Sequence, residues 1–370
     1  MIDTVALTIY NKDYQFIKKR RYKVEVGSSF TRCIYNPTKK EIKEYGYLPR
    51  LTEYNAVRKG GYVTYLRIEF SIPKLLYSNN FDEVDASDFE EICSRIKVAL
   101  FRMGVIVRNT TIIENSEVSA IHYSKNIVLA GYTEPYPILR ELGKIDLNKH
   151  YNLNKTDYRN EGHAVRYHSN NFEVVFYDKR KDLLQARKSE KKSLEKDSYT
   201  QLNLLDNVRD KKPFEVLRME VRIGNRKKMK QILRKYGLVK TDRTFKSMFK
   251  LPVSKRILVS FLKEILDAYP KMLTVQEDTQ EDLLINIKMN NPKIRMRKVL
   301  ELVGLKAILS EVGVRKYREI SQMFGEEKEH WYRLKKETNA LNLENTKNPL
   351  DSLSDSMDRF ERVRLDKYLD

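Results

Sequence analysis

The sequence has few cysteines and no long apolar run. These two features argue against disulfide-rich, cysteine-bound zinc and membrane-spanning proteins. Only two cysteines, Cys33 and Cys93, occur in 370 residues. This favours a reducing compartment and argues against a disulfide scaffold or a zinc site built from cysteines. No apolar run approaches the ~20 residues that cross a bilayer, and the N-terminus has no signal-peptide core. We therefore expect a cytoplasmic protein.

Several common catalytic signatures are also missing from the sequence. It has no Gly-x-Ser-x-Gly elbow and no glycine-rich phosphate loop of the Walker type, so ATP hydrolysis has no support. The five histidines include no His-hydrophobe-His pair. His163 and His168 lie five residues apart, so in an uninterrupted strand they would point to opposite faces. The histidines therefore do not predict a metal platform built from two imidazoles.

Positive charge is what the sequence has in excess. It contains 71 Lys and Arg against 51 Asp and Glu, which gives a net charge of +20 and a pI near 9.6. An excess of this size indicates a polyanionic partner, because each phosphate that a protein neutralises releases condensed counterions. Nucleic acid is the first expectation, and an anionic membrane surface is the weaker one.

The hydrophobic pattern changes along the chain from strand spacing to helix spacing. Alternating apolar residues predict strands at residues 2–10, 62–72, 105–113, 117–129, 163–168, 172–177 and 214–223. An amphipathic helix is expected between them, with Ser87 as its N-cap and Gly104 at its end. Beyond these strands, helical spacing predicts helices at residues 254–268, 279–289, 293–303, 314–323 and 326–339.

This order of elements predicts an α+β fold: mostly antiparallel sheets with packed helices, followed by an all-helical C-terminal domain. The expected boundaries are 1–240 for the α+β domain and 250–340 for the helical one. Residues 345–370 are polar and mixed in charge, which predicts a disordered tail with a short helix near its end. Residues 187–212 have few apolar anchors, which predicts a mobile excursion.

The segment 171–184 joins a predicted strand to a predicted helix at Tyr177. Asp178 can cap a helix that begins with Lys179, Arg180 and Lys181. A phenol at a strand end, next to cations and a helix N-terminus, lies where a phosphate group is attracted. Tyr177 is therefore the candidate nucleophile toward a DNA phosphodiester. The alternative is a surface tyrosine beside a solvated run of charges.

A tyrosine nucleophile needs assistance, because the pKa of a free phenol is about 10. A base, a metal ion or a cationic setting can supply that assistance. The strand 214–223 offers Glu220 between Arg218 and Arg222 on one face, and an earlier strand offers His122. These side chains suit a divalent metal or a phosphate group. The alternative is a ladder of cross-strand salt bridges on an exposed face.

Two further groups of basic side chains are candidates for contact with DNA. One group begins the helix after strand 214–223, and the other lies on the last two helices, which flank Gly325 and resemble a helix–turn–helix. The first group is Arg226, Lys227 and Lys228, and the second is Arg333, Lys335 and Lys336. The alternative for the second group is a plain helical hairpin with a solvated basic side.

Several motifs of the sequence carry a resemblance to a known family. Three of them are Tyr65-Leu-Arg-Ile-Glu-Phe-Ser-Ile-Pro-Lys-Leu-Leu76, Phe176-Tyr-Asp-Lys-Arg-Lys-Asp-Leu183 and Leu217-Arg-Met-Glu-Val-Arg222. The others are Met1-Ile-Asp-Thr-Val-Ala-Leu, the helix from Ser87, Val118-Ser-Ala-Ile-His-Tyr123 and the helices from Tyr317 to Lys336. In order and spacing they resemble motifs of phage and plasmid replication initiators, typified by the gene II/gene X replication proteins of filamentous phages. The resemblance extends roughly over residues 1–340.

The resemblance implies a rolling-circle replication enzyme of the bacterial host cytoplasm, one that nicks and rejoins one DNA strand. Tyr177 would form a 5′-phosphotyrosine, Lys179 would steady the phosphate, and Glu220 would bind Mg²⁺ or Mn²⁺ together with His122 and Asp178. The family commonly has an acidic residue where His122 stands. The implied partners are origin DNA, single-stranded or supercoiled, and the host helicase and polymerase.

Two rival hypotheses stand beside this one. A non-catalytic initiator or repressor would bind origin repeats through the C-terminal helices, and it predicts salt-sensitive DNA binding without nicking. A related relaxase that mobilises a plasmid or an integrative element would use the same chemistry as the initiator. Both nicking hypotheses require that the Tyr177 hydroxyl and the Glu220 carboxylate face a common basic hollow.

Overall fold

A computed structural model of the chain describes all residues except 18–22, 28–29, 59–60, 130–133, 148–154, 160–161, 170, 183–214 and 365–370. The segment 187–212, for which the sequence predicts a mobile excursion, lies outside the described residues. No helix in the part of the chain that is described is long and apolar enough to cross a membrane.

Antiparallel strands dominate the first two thirds of the described chain. The strands are β1 (Ile2–Tyr10), β2 (Tyr14–Phe16), β3 (Lys23–Val26), β4 (Phe30–Tyr35), β5 (Arg50–Arg58), β6 (Gly61–Ser71), β7 (Val105–Val107), β8 (Glu117–Leu129), β9 (Lys155–Arg159), β10 (Ala164–His168), β11 (Phe172–Asp178) and β12 (Glu215–Ile223). Ten of them form one sheet in the order β3-β4-β5-β6-β1-β8-β12-β11-β10-β9, and β2 pairs with β7. Each pairing is antiparallel.

The large sheet has two unlike faces, because successive side chains of a strand point to opposite sides. One face is apolar, and its side chains, among them Leu7 of β1 and Met219 of β12, are buried in the main hydrophobic core. We call the other the polar face. It carries Thr8 of β1, Arg67 of β6, His122 of β8, Tyr177 of β11 and Glu220 of β12.

Helices pack against the apolar face and make up the C-terminal third. They are α1 (Lys39–Tyr45), α2 (Ile72–Tyr77), α3 (Phe89–Arg102), α4 (Thr110–Glu114), α5 (Pro135–Gly143), α6 (Arg226–Lys235), α7 (Phe245–Met248), α8 (Leu251–Leu266), α9 (Gln280–Asn290), α10 (Met296–Met323), α11 (Lys328–Asn339) and α12 (Asp351–Arg359). Helix α8 contacts β8 and β12, and α6 contacts β8. The predicted α+β class, with antiparallel sheets and a helical C-terminal region, is confirmed.

Two local predictions are wrong near α3. Ser87 does not cap that helix; a short 3₁₀ turn precedes it, and Asp85 and Asp88 form the capping box. Aspartate accepts at an N-cap at least as well as serine, and here Ser87 donates its hydroxyl to Asp85. The strand predicted at 105–113 ends at Val107, because Asn109 accepts from the backbone of Ile112 and starts α4.

The C-terminal elements also differ from expectation. The helices predicted at 293–303 and 314–323 both lie in α10, which the non-helical Gly313, with a φ of +74°, divides into two helical segments. The second segment begins at Val314 as predicted, whereas the first runs from Met296 to Val312, well beyond residue 303. The tail predicted at 345–370 contains the expected short helix, α12. This helix buries Leu353 and Met357, so the described part of the tail, up to residue 364, is packed and not disordered. Beyond α12, Arg362 pairs with Asp85 at 2.6 Å and ties the chain end to the α+β region. Apolar side chains at helical spacing supply the burial that holds this segment in place.

Candidate functional site

A buried polar network on the polar face joins the end of β11 to the middle of β12. The Tyr177 hydroxyl donates a hydrogen bond of 2.6 Å to Oε1 of Glu220. Arg218 lies 3.0 Å from the same carboxylate oxygen, and Arg222 lies 2.7 Å from the other one. The register explains the grouping, since Tyr177 pairs with Arg218 and Glu220 pairs with Val175 across the two strands. The structure thus brings together the phenol, the carboxylate and both arginines.

Arg218 is the structural centre of this network. Its side chain is 1% exposed and donates to Asp3 of β1 at 2.6 Å, Ser124 of β8 at 3.0 Å and the carbonyl of Asn80 at 2.8 Å. A buried guanidinium needs such partners, because an unpaired charge in the interior is costly. Arg218 was predicted to contact DNA, but in this arrangement its donors are directed to protein groups.

Burial determines the protonation states of the network. It raises the pKa of the Tyr177 phenol well above its usual range, and the Glu220 carboxylate adds to the effect. Burial would also raise the pKa of Glu220, but Arg222 and Arg218 outweigh it and hold that pKa well below its usual range. At neutral pH the phenol is therefore protonated and the carboxylate is charged.

Lys179 is a buried cation next to the nucleophile candidate. Its Nζ atom lies 5.5 Å from the centroid of the Tyr177 ring and 3.9 Å from Oδ2 of Asp182. Burial, together with Arg218, lowers the pKa of the Lys179 ammonium to about 7. A group with a pKa near neutrality can give or take a proton at the pH of the cell.

The predicted cap at the end of β11 is present. Oδ1 of Asp178 accepts from the backbone N–H of Lys181 at 2.9 Å, at the start of the helical turn 179–182. Arg180 pairs with Glu215 at 2.9 Å. Lys181 is exposed. Of these side chains, Lys181 is the one that presents its charge most openly to solvent.

Two of the three predicted metal ligands, His122 and Glu220, lie on the polar face, and the third, Asp178, does not. Asp178 neighbours Tyr177 in a strand and therefore points away from the polar face, where its side chain caps the turn. His122 pairs with Arg222 across the ladder, and burial together with that arginine lowers the pKa of the imidazole. Both oxygens of Glu220 are bound by arginines. These residues do not fit a divalent cation, because the surroundings of the carboxylate are already positive.

The described residues contain no group of three or more His, Cys, Asp and Glu side chains that could hold a metal ion. The Mg²⁺ or Mn²⁺ that the resemblance implies therefore stays a prediction.

The three basic side chains at the start of α6 lie in three different environments. Arg226 donates to the Thr8 hydroxyl at 2.8 Å and lies 3.2 Å from Glu117. Lys227 is exposed. Lys228 lies over the ring of Phe172, with its ammonium 4.2 Å from the ring centroid. The structure places Arg226 and Lys227, but not Lys228, at the edge of a cavity on the polar face.

The basic side chains of α11 lie far along the chain from this network. Trp331 is buried and packs against Tyr317 of α10 with ring centroids 5.9 Å apart, which fixes the helical hairpin. Arg333 and Lys336 are exposed and Lys335 is half-buried. The hairpin is confirmed as a structural unit, and its contact with DNA stays a prediction.

Sequence reasoning missed the residues that support the site from neighbouring strands. Asp3 and Ser124 hold Arg218, and Asn126 accepts from it at 3.4 Å. A signal was present in β8, where the polar residues His122, Ser124 and Asn126 recur at every second position and therefore share a face. Comparison of the chain with family models, curated proteins and solved structures found no match to any of them.

Proposed function

We propose that the protein initiates rolling-circle replication by cutting one DNA strand with Tyr177 and holding the 5′ end as a phosphotyrosine. The observation that carries the proposal is the hydrogen bond of 2.6 Å from Tyr177 to Glu220, set between two arginines. A nucleophilic hydroxyl bonded to a base, with the base oriented by a third group, is the arrangement that covalent catalysis requires.

Arg222 is the part of the network that a phosphate would reach first. Its side chain is 29% exposed, against 2% for Arg218 and 4% for Glu220. A DNA phosphate that pairs with Arg222 competes with Glu220 for the guanidinium. The pKa of Glu220 then rises, because one of the two cations that hold it low is shared, and the carboxylate becomes a better acceptor for the phenol proton.

The reaction then proceeds by in-line displacement at phosphorus. The Tyr177 proton passes to Glu220, the phenolate oxygen forms a bond to phosphorus, and the bond from phosphorus to the 3′ oxygen breaks. Lys179 gives its proton to the departing 3′ oxygen, a role that fits a pKa of about 7. The new phosphoester keeps the energy of the broken one, so the reverse steps rejoin the strand without ATP.

The proposed partners follow from this chemistry and from the positive charge of +20. The substrate is single-stranded or supercoiled origin DNA in the bacterial cytoplasm, and the freed 3′ end would serve the host polymerase behind the host helicase. Arg180, Lys181, Lys227 and the hairpin of α10 and α11 offer further cations to the DNA backbone.

Covalent capture tests the proposal without knowledge of the nick site. The purified protein is incubated with a randomised single-stranded DNA library, with Mg²⁺, with Mn²⁺ or with a chelator, and the DNA that stays linked after denaturation is sequenced. We expect adducts at a defined sequence in wild type and none in Tyr177→Phe. Tyr123→Phe is the control, because Tyr123 is a buried phenol on the apolar face that bonds to the carbonyl of Met248.

A non-catalytic origin-binding initiator or repressor is the second candidate. Two observations favour it: Tyr177 is only 9% exposed, and its neighbours do not fit a divalent metal. It predicts that the same library is bound specifically and salt-sensitively, with no adduct under any metal condition. Adducts that persist in Tyr177→Phe would reject the assignment of the nucleophile.

A further inference from the structure

A cavity of about 530 Å³ opens on the polar face beside the start of α6. Its walls come from β1, β5, β6, β8 and the loop between β12 and α6. The lining residues used below are Thr8, Tyr54, Tyr65, Arg67, Arg226 and Lys227. None of the residues that line it in the described chain is acidic. The cavity therefore combines aromatic rings with three cationic side chains.

Two tyrosines form the aromatic wall of the cavity. Tyr54 of β5 and Tyr65 of β6 are paired in the ladder, and their rings stack with centroids 5.1 Å apart and planes 12° apart. Tyr10 and Phe30 continue the row at 6.3 Å and 6.4 Å on either side. The flanking rings are inclined by 61° and 51° to their neighbours, so Tyr54 and Tyr65 are the parallel pair of the row. Aromatic side chains on a sheet serve as platforms for unpaired bases, which stack on them with little regard to sequence.

Three cations also line the cavity, and two of them form ion pairs with acidic residues that do not line it. Arg67 pairs with Glu69 at 2.9 Å, and Arg226 pairs with Glu117 at 3.2 Å and Thr8 at 2.8 Å. Lys227 is exposed and forms no salt bridge with any residue that the structure describes. Anchored arginines lose little entropy on binding, and the lysine adds charge that is still to be neutralised.

The cavity lies on the same sheet face as the reactive tyrosine. Gly224 lines it and is four residues from Glu220 along the strand direction of β12, a separation of about 13 Å at ~3.3 Å per residue. We propose that this cavity binds a nucleotide of a single DNA strand, with the base on the Tyr54–Tyr65 stack and the phosphate at Lys227 and Arg226. The choice of DNA as the nucleic acid rests on the proposed function.

Two matched single-stranded oligonucleotides, one with bases and one without, test whether a base stacks on Tyr54 and Tyr65. Binding is measured by fluorescence anisotropy for an oligothymidylate and for an abasic oligomer with the same number of phosphates. We expect wild type to prefer the base-bearing strand by at least about fivefold, the lower limit for stacking on aromatic side chains. The Tyr54→Leu/Tyr65→Leu variant, which keeps apolar volume, should lose most of that preference. Tyr62→Leu is the control, because Tyr62 is 82% exposed and lies on the opposite side of β6.

A fluorescence measurement gives a second test, which holds even if the leucine variant does not fold. Trp331 is the single tryptophan of the chain, so Tyr54→Trp adds one reporter whose emission is obtained by subtracting the wild-type spectrum. Oligothymidylate should quench this emission, and the abasic oligomer should not. Lys227→Ala should lower the slope of log affinity against log salt by about 0.7. Lys263→Ala, at an exposed position of α8, should leave that slope unchanged.

The inference is overturned if the leucine variant keeps the full preference for bases, or if the Tyr54→Trp emission is insensitive to both strands. These readouts measure binding and not cleavage. If the binding results are as expected but no covalent adduct forms, the proposed nuclease is rejected and the proposed nucleotide site stands. If adducts form but the binding results are not as expected, the proposed nuclease stands and the proposed nucleotide site is rejected.

Discussion

Arg218 and Asp3 form an ion pair of 2.6 Å between residues that are 215 positions apart in the chain. Asp3 sits where the pairing of β1 with β8 shifts register between Ile2 and Thr4. This irregularity brings the Asp3 carboxylate to the polar face, where it accepts a hydrogen bond from the Arg218 guanidinium. The geometry of the candidate site therefore depends on an irregularity in the first strand.

We predict that removal of Arg218 destabilises the fold. Arg218→Ala leaves Asp3 and Glu220 without their shared cation in a buried setting, and breaking such a pair costs about 3–5 kcal/mol. Urea unfolding gives the free energy directly. Arg297→Ala is the matched control, since its side chain is 92% exposed and exposed changes usually stay within about 0.5 kcal/mol. Equal losses in the two variants would contradict the role given to Arg218.

We predict that Lys179 makes the stability of the protein depend on pH. The folded state lowers the pKa of this lysine from 10.5 to about 7, so between these values the unfolded chain binds the proton more strongly. The free energy of unfolding therefore rises as the pH increases through this range. Between about pH 7 and 8.5 the rise should be roughly 1–2 kcal/mol, since one pKa unit corresponds to about 1.4 kcal/mol.

The Lys179→Met variant isolates this contribution. It keeps a long side chain and removes the titrating group, so its free energy of unfolding should rise less with pH than that of wild type. Lys263→Met, at an exposed position on α8, should follow the wild-type curve. Parallel curves for wild type and Lys179→Met would show that the lysine is not held with a lowered pKa.

We predict that Arg222 affects the reaction more than the affinity for DNA. Arg222→Gln removes the partly exposed cation that a phosphate would engage, and loss of one such group slows related reactions by about 10²–10³-fold. Adduct formation under single-turnover conditions measures the effect. Binding of single-stranded DNA should fall only a few-fold, because one phosphate contact among several is lost. Arg222→Lys keeps the charge and should be intermediate, whereas a normal adduct rate in Arg222→Gln would exclude the proposed role.

Alternation of apolar residues was sufficient to predict most of the large sheet. The strands predicted at 62–72 and 117–129 are β6 and β8 within one residue at each end, because a half-buried strand needs period-2 spacing. The same pattern placed Arg218, Glu220 and Arg222 on one face, which the structure confirms. Local spacing therefore predicts which side chains of a strand share a face.

Local spacing does not predict which strands become neighbours. The contact of Tyr177 with Glu220 exists because β11 and β12 are adjacent, although residues 179–214 separate them along the chain. The burial of this contact depends on Asp3 and Asn80, which lie far away in sequence. The sequence pattern likewise predicts a helix from residue 314, but it does not predict the tertiary contact at the break, where the N–H of Val314 donates to the carbonyl of Lys144 at 3.0 Å.

Gly313 and Gly304 allow a last prediction, because both lie in α10 but differ in backbone conformation and in surroundings. Gly313 has a φ of +74°, and a Cβ atom there would lie 2.9 Å from Cα of Lys144. Gly313→Ala should therefore lose about 2 kcal/mol or more, from the left-handed backbone and the clash together. A Cβ atom at Gly304 meets nothing within 4 Å, and Gly304→Ala should gain up to about 1 kcal/mol from helix propensity. Urea unfolding of the two variants decides the matter, and changes of the same sign would mean that α10 does not bend against Lys144.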